Sequence, residues 1–364
     1  MSNGVNKFII PIIVVAILAA GIGTFFVFQK PAFTEVSNIR DSEPSNANNG
    51  MFNADQFGIY TSTLVGKNLK LVIADPYREM NHARVSPDKK LITFTRFNNR
   101  KLMSGFAEEE DGYTDTEIMI VAMDGTGLIS LTPTGKNLIN VNSYWTPDGK
   151  SIIYMSNDNP DKRKIRIKRI DLVTRKITSI SPEDLPWVSD PHQVGNHIVF
   201  PAARDVKEVR SIWLMKVGSQ KADQITHPVI SVKGPLKDPL PGDSDPKLSP
   251  DGTEVAFTRH FGNGNFHNIV LNLATGKEKD LSVAVTVDVM PEWSSDGRLL
   301  TFWHVNLKKI KDIGIYTIKP DGSGRTKIPL PYGYFFRMPA FFPGEGSGSD
   351  ARVIFSGKRV PQIK

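Results

Sequence analysis

The chain has 364 residues, no cysteine, and a formal net charge of +7 from 45 Lys and Arg against 38 Asp and Glu. Without thiols there are no disulfides, no thiolate catalysis and no cysteine-held metal. The basic residues are scattered, as in Lys162–Arg169, with no interleaved stacking aromatics, which argues against nucleic-acid binding.

The first element is Phe8–Phe28, an uncharged run of 21 residues between Lys7 and Lys30. At about 1.5 Å rise per residue a helix of this length spans a bilayer core. A cleaved signal peptide is the competing reading, with Gly21 and Gly23 near its processing site. The apolar Phe25–Phe28 continues past that point and suits an uncleaved anchor over residues 1–30. Ser37–Asn53 is rich in Ser, Asn and Asp and shows no period, so residues 31–56 read as a flexible linker. From Phe57 onward the pattern changes to short alternating runs broken by turn residues, with no amphipathic helix. Residues 57–364 are therefore expected to be all β.

A unit recurs through this region: a Ser/Thr-x-Asp turn followed at once by a short apolar strand. The clear copies are Ser86-Pro87-Asp88, Thr146-Pro147-Asp148-Gly149, Ser249-Pro250-Asp251-Gly252 and Ser294-Ser295-Asp296-Gly297. Degenerate copies align at Val194, before Gly195-Asn196, and at Phe342, before the strand starting at Arg352. Successive spacings are 60, 48, 55, 45 and 48 residues, and each interval holds a second hairpin turn, such as Asp124–Gly127 or Asp321–Gly324. Four strands per interval make one blade of a β-propeller. Two orphan strands at each end, Gly58–Val65 and Leu69–Ala74 at the start and two after Phe342, combine into a sixth blade, so no sheet edge is left open.

The stretches Asp288-Val-Met-Pro291-Glu-Trp293-Ser-Ser-Asp296-Gly297 and Val141-Asn-Ser-Tyr-Trp145-Thr-Pro147-Asp148-Gly149 carry a recognisable pattern. Together with Asp243-Ser-Asp-Pro246-Lys-Leu-Ser249-Pro-Asp-Gly252, they resemble the repeats of TolB-like six-bladed propellers, relatives of WD-repeat proteins. The likeness covers roughly residues 57–359. Residues 82–86 lack the Trp, and the copy at Val194 lacks Pro-Asp. In TolB itself a second, α/β domain precedes the propeller, where this chain has the apolar segment and linker.

The resemblance implies that residues just before the motif rim the central channel. The position four before the aligned residue is occupied by His82, Asn142, Asp190, Asp245, Met290 and Met338, with Asp243, Asp288 and Arg337 one or two residues away. These side chains either cap the starts of the inner strands through backbone amides or face a partner segment or small ligand. The candidate binding residues are thus His82, Asn142, Asp190, Asp245, Asp288 and Arg337. The turn Asp residues and the aromatics after them are read as fold determinants. A Gly-x-Ser-x-Gly elbow is absent, which excludes a prolyl-oligopeptidase-type hydrolase. Glu108–Asp111 reads as a solvated loop.

The functional expectation is a non-enzymatic propeller without catalytic residue, metal or other cofactor. It is tethered through residues 8–28 to a bacterial inner membrane, with the propeller on the periplasmic side, and binds a protein segment or small ligand in an envelope complex. The alternative is a metal-dependent oligosaccharide lyase of the oligogalacturonate-lyase type using His82 and His192, although no compact His pairing supports it.

Overall fold

The computed structural model describes residues 57–98, 115–135, 137–157, 164–205, 208–230, 241–261, 264–283, 285–309 and 312–359. The expected anchor, linker and acidic loop lie outside these residues. Among the described residues no helix is long and apolar enough to cross a membrane, and the regular structure is entirely β.

The described chain opens with β1 (Phe57–Thr63) and β2 (Lys70–Asp75). Blade 1 follows as β3 (Met80–Val85), β4 (Leu91–Phe97), β5 (Thr116–Ala122) and β6 (Ile129–Ser130). Blade 2 is β7 (Asn140–Trp145), β8 (Ser151–Ser156), β9 (Arg166–Asp171) and β10 (Ile177–Ser179). Blade 3 divides its inner strand into β11 (Trp187–Val188) and β12 (His192–Val194), followed by β13 (His197–Ala203), β14 (Ser211–Lys216) and β15 (Ala222–Gln224). Blade 4 is β16 (Gly242–Leu248), β17 (Glu254–His260), β18 (Phe266–Asn272) and β19 (Glu278–Asp280). Blade 5 is β20 (Thr286–Trp293), β21 (Leu300–Asn306), β22 (Ile313–Ile318) and β23 (Thr326–Lys327). The last two strands, β24 (Tyr334–Phe341) and β25 (Arg352–Arg359), pair with the first two in the order β24-β25-β1-β2. The orphan strands at the two ends therefore make one blade, and six blades close the ring.

The closing seam is held by register and by aromatics. β1 pairs antiparallel with β25 from Phe57↔Lys358 to Thr63↔Arg352. Gly58 faces Gly357 in this pairing, and the space they leave is occupied by rings. A Cβ on Gly357 would lie 2.4 Å from Phe336 Cδ1, and one on Gly58 2.8 Å from Tyr60 Cε2. Tyr334 stacks on Phe336 at 5.1 Å, and Tyr60 meets Phe336 edge-on at 5.3 Å. Such pairs contribute about 0.5–1.5 kcal/mol each beyond buried area.

The core is divided among the seams between blades, because each sheet buries both faces. Ile118 and Ile120 of blade 1 pack on Trp145, Ile152 and Tyr154 of blade 2. Val199 and Ile212 of blade 3 pack on Leu248, Val255 and Phe257 of blade 4. Tryptophans add a polar stitch: Trp145 Nε1 donates to the Arg84 carbonyl of the preceding blade, and Trp293 Nε1 to that of Lys247, each at 2.9 Å.

The repeated turns are set by local chemistry, as their sequence predicts. In all four clear copies the leading hydroxyl donates to the Asp Oδ1 at 2.6 Å (Ser86–Asp88, Thr146–Asp148, Ser249–Asp251, Ser294–Asp296). The same hydroxyl accepts the amide that opens the next strand, as Leu91 N–H does at 2.9 Å. These bonds hold all four carboxyls below the usual Asp range. In three copies the fourth turn residue is a glycine at positive φ; in the first, Lys89 takes that conformation at φ 61°.

Candidate site at the mouth of the channel

Each inner strand carries the same irregularity. The ladder shifts register between Asn81 and Arg84, Val141 and Tyr144, Ser244 and Lys247, Val289 and Glu292, and Arg337 and Ala340. In blade 3 the interruption separates β11 from β12. At these six places sit His82 (φ 57°), Asn142 (57°), Asp190 (38°), Asp245 (51°), Met290 (58°) and Met338 (56°), all left-handed. These are the six positions that the sequence register aligned. A non-glycine residue in this conformation costs on the order of 1–2 kcal/mol, and a bulge re-aims its side chain. Neighbouring blades capture the amides released by two of the bulges. Asn142 N–H donates to Thr95 Oγ1 at 3.1 Å, and Met290 N–H to Thr258 Oγ1 at 3.0 Å. Five of the six residues lie inside their strands, and Asp190 lies between β11 and β12.

The bulges fall at the third to fifth residue of the continuous inner strands, which begin at one end of the ring. The connections from β4 to β5 and from β15 to β16 also start and end there, as does Phe57 opposite Lys358. The other end is closed by the tight Asp-containing turns.

Four blades contribute polar bulge residues, and the remaining two contribute methionines. Asn142 Nδ2 donates to Asp190 Oδ1 across the seam between blades 2 and 3. Asp245 accepts from Ser244 Oγ at 3.2 Å. Met290 and Met338 join an apolar cluster with Val287, Val289, Trp303 and Phe335. Two residues beyond the bulges comes a second polar set: Arg84, Tyr144, His192, Lys247 and Glu292. Tyr144 donates its hydroxyl to Glu292 Oε1, and Arg84 pairs with Glu292 Oε2 at 3.2 Å. The Arg84 guanidinium and Lys247 ammonium lie 5.4 and 5.7 Å from the Tyr144 ring centre. His192 packs edge-on against that ring at 4.4 Å, and its Nδ1 accepts the Leu248 amide at 3.0 Å, placing its proton on Nε2.

All of the bulge residues and the second polar set but Tyr144 are under 9 % exposed, and Tyr144 is partly exposed as a whole residue. Burial depresses both imidazoles well below the usual His range, helped by the cations Arg84 and Lys247. Burial, then the Glu292 charge, raises the Tyr144 phenol. Burial raises Asp190 to about 7, with the neighbouring Asp245 charge as the next cause, and Asp245 is raised by burial as well. The cluster is also under-paired. Both ring nitrogens of His82, Asn142 Oδ1, Asp190 Oδ2 and Arg84 Nε meet no hydrogen-bond partner among the described residues.

Asp288 and Arg337, the other two expected site residues, are turned elsewhere. Asp288 is fully buried, with its Oδ1 2.6 Å from His304 Nδ1, and it receives both terminal nitrogens of Arg325 at 2.8 and 3.0 Å. It ties β20 to β21 and to the residues before β23, and these bonds overcome burial to lower its pKa. Its counterpart Asp243 pairs with Arg259, which also holds Glu278. Arg337 pairs with Glu79 and donates to Asn81 Oδ1 at 3.2 Å, joining blades 6 and 1; burial lowers it to about 10. The structure thus brings His82, Asn142, Asp190 and Asp245 together and leaves Asp288 and Arg337 in ties between strands and blades. Arg84, Tyr144, Lys247 and Glu292 were missed; the signal that finds them is the strand period of two applied from each bulge. Among the described residues no three His, Asp or Glu side chains are gathered as metal ligands.

This fold is a TolB-like β-propeller. No protein-family model matches the chain. The TolB homolog of Chlorobium luteolum is 28 % identical over 259 residues, covering 69 % of this chain and 52 % of that protein, so the chain spans about half the length of this curated relative. Among solved structures, a proposed TolB from Agrobacterium tumefaciens matches with a TM-score of 0.60 at 15 % identity, over 84 % of this chain and 99 % of that one. TolB from Acinetobacter baumannii matches with a TM-score of 0.54 at 14 % identity, over 84 % and 64 %.

Proposed function

We propose that the chain is a non-enzymatic envelope propeller that holds a segment of a partner protein at the channel mouth. In this reading residues 1–30 anchor it in a bacterial inner membrane through residues 8–28, residues 31–56 form the linker, and residues 57–364 form the propeller on the periplasmic side. The observation that carries the binding role is the under-paired polar cluster built from the bulges of blades 1–4. A buried polar atom without a partner costs about 1–3 kcal/mol. Several such atoms on strained residues at one place are a standing cost that a partner's donors and acceptors would relieve. The likeness to TolB supports an envelope protein with protein partners. The lyase reading finds no gathered set of metal ligands among the described residues.

The test is affinity capture from solubilised envelope with wild type, Asp190→Ala and Asp245→Ala. Loss of the same captured proteins in both variants, with circular dichroism unchanged, is the expected result. Identical captured sets would sink the proposed site. A reporter fused after Lys364 checks the orientation, and a periplasmic signal is expected.

A further inference from the structure

Strands within a blade alternate in direction, so each connection from the outer strand of one blade to the inner strand of the next lies at the mouth end. The exposed large apolar side chains of that end sit in these connections. Tyr77 (58 % exposed) lies between β2 and β3, Val283 (55 %) between β19 and β20, and Tyr332 (89 %) between β23 and β24. They gather on the side of blades 5, 6 and 1; Val229, between β15 and β16, is the exception. Cations follow the same side. Arg78 adjoins Tyr77, Lys308 and Lys309 lie exposed between β21 and β22, and Lys358, near the end of β25, has its ammonium 4.9 Å from the centre of the Phe57 ring. The described carboxylates beside these residues are engaged by the protein. Asp75 accepts the Tyr77 and Arg78 amides at 2.8 and 2.9 Å, Glu79 pairs with Arg337, and Asp312 accepts from the Tyr316 hydroxyl. The opposite side of the mouth end differs: exposed Glu183, Asp184, Asp205 and Glu208 stand there against Arg204 and Lys164.

Blade 6 is also where the chain enters the ring, at Phe57 opposite Lys358. In the proposed function residues 8–28 lie in the bilayer, and this inference rests on that anchor. A coil of the length of residues 31–56 reaches roughly 30 Å, so the blade 6 rim is the part of the ring kept nearest the surface. Tyrosine favours the layer between headgroups and acyl chains. Each Lys or Arg close to an anionic surface strengthens contact about fivefold.

We propose that the mouth rim of blades 5, 6 and 1 docks on the anionic lipid surface of the membrane that holds the anchor. Tyr77 and Tyr332 enter the headgroup layer, and Arg78, Lys308, Lys309 and Lys358 meet lipid phosphates. The ring then stands tilted. Asn142, Asp190 and Asp245, on blades 2, 3 and 4, are lifted from the surface, and the polar side of the mouth is turned towards a partner.

The chain has no cysteine, so a single introduced cysteine carries one fluorophore in the full-length protein. The positions are Pro331→Cys beside Tyr332, Val229→Cys on the far side of the same end, and Val173→Cys at the turn end, all exposed. Each labelled protein is reconstituted in phosphatidylcholine vesicles containing phosphatidylglycerol and a lipid with a nitroxide at headgroup depth. Quenching at Pro331→Cys should exceed that at the other two positions severalfold. The docking constant read from it should fall about fivefold for each of Lys308→Ala and Lys309→Ala, and fall again when phosphatidylglycerol is left out. Equal quenching at the three positions, or none at Pro331→Cys, in protein that floats with the vesicles overturns the docking and leaves the anchor standing. Protein that does not float with the vesicles removes the anchor, and the docking with it.

Discussion

The molecule contains two buried polar networks of opposite character. In the blade sheets, Asp243–Arg259–Glu278 and Asp288–His304–Arg325 are closed sets in which carboxylates meet side-chain nitrogens at 2.5–3.0 Å. At the channel, His82, Asn142, Asp190 and Arg84 keep polar atoms without partners among the described residues, at or beside left-handed bulges of three blades. Blade 4 shows the division within a single strand. Asp243 and Asp288, two residues before the bulges, bind their own sheets, whereas Asp245 at the bulge faces the channel. A buried charge that is fully paired serves the fold. One that is left short, where strain is also stored, is where a binding function is sought.

The largest effect is expected from removing a partner from the closed network. Arg259→Leu leaves the fully buried Asp243 uncompensated and should cost about 3–5 kcal/mol, read from denaturant midpoints at unchanged slope. A cost below about 1 kcal/mol would show that the closed sets are not structural ties. Next comes the stitch between blades. Trp293→Phe loses its bond to the Lys247 carbonyl and should cost about 1–3 kcal/mol, with the tertiary near-ultraviolet signal retained. Asp296→Ala removes the acceptor for Ser294 and the Ser347 hydroxyl and amide bonds to the Asp, and about 1 kcal/mol is expected by the same measurement. The smallest effect, and of opposite sign, belongs to the channel. His82→Met copies the residue found at the bulges of blades 5 and 6 and deletes two unpaired nitrogens. Thermal unfolding should be unchanged or up to about 1 kcal/mol more favourable to the fold.

Much of the fold was legible because its determinants are local. Pro87-Asp88, Pro147-Asp148-Gly149 and Ser295-Asp296-Gly297 encode turns whose hydroxyl and carboxylate bonds span two to five residues. Once the turns are in register, the strand between them has one length. The degenerate copies at Val194 and Phe342 still aligned Asp190 and Met338 with the bulges, since the count back from the turn is set by strand geometry. The left-handed conformation was only partly legible: His82, Asn142, Asp190 and Asp245 are of types that tolerate it, but Met290 and Met338 give no such hint. Nor could Asp288 be told from Asp245. Its fate depends on Arg325, 37 residues away, and on His304, 16 residues away, which meet it only through the antiparallel ladder.

Under the proposed function, the channel cluster reads a partner and is not needed to hold the ring together. The direct measurement is made on His82→Met and Arg259→Leu side by side, with unfolding free energy and capture of the envelope partner determined on the same preparations. The account predicts that His82→Met keeps or gains stability while losing the partner, and that Arg259→Leu loses stability while its folded fraction still binds. A His82→Met protein that unfolds readily, or that retains the partner undiminished, would contradict it.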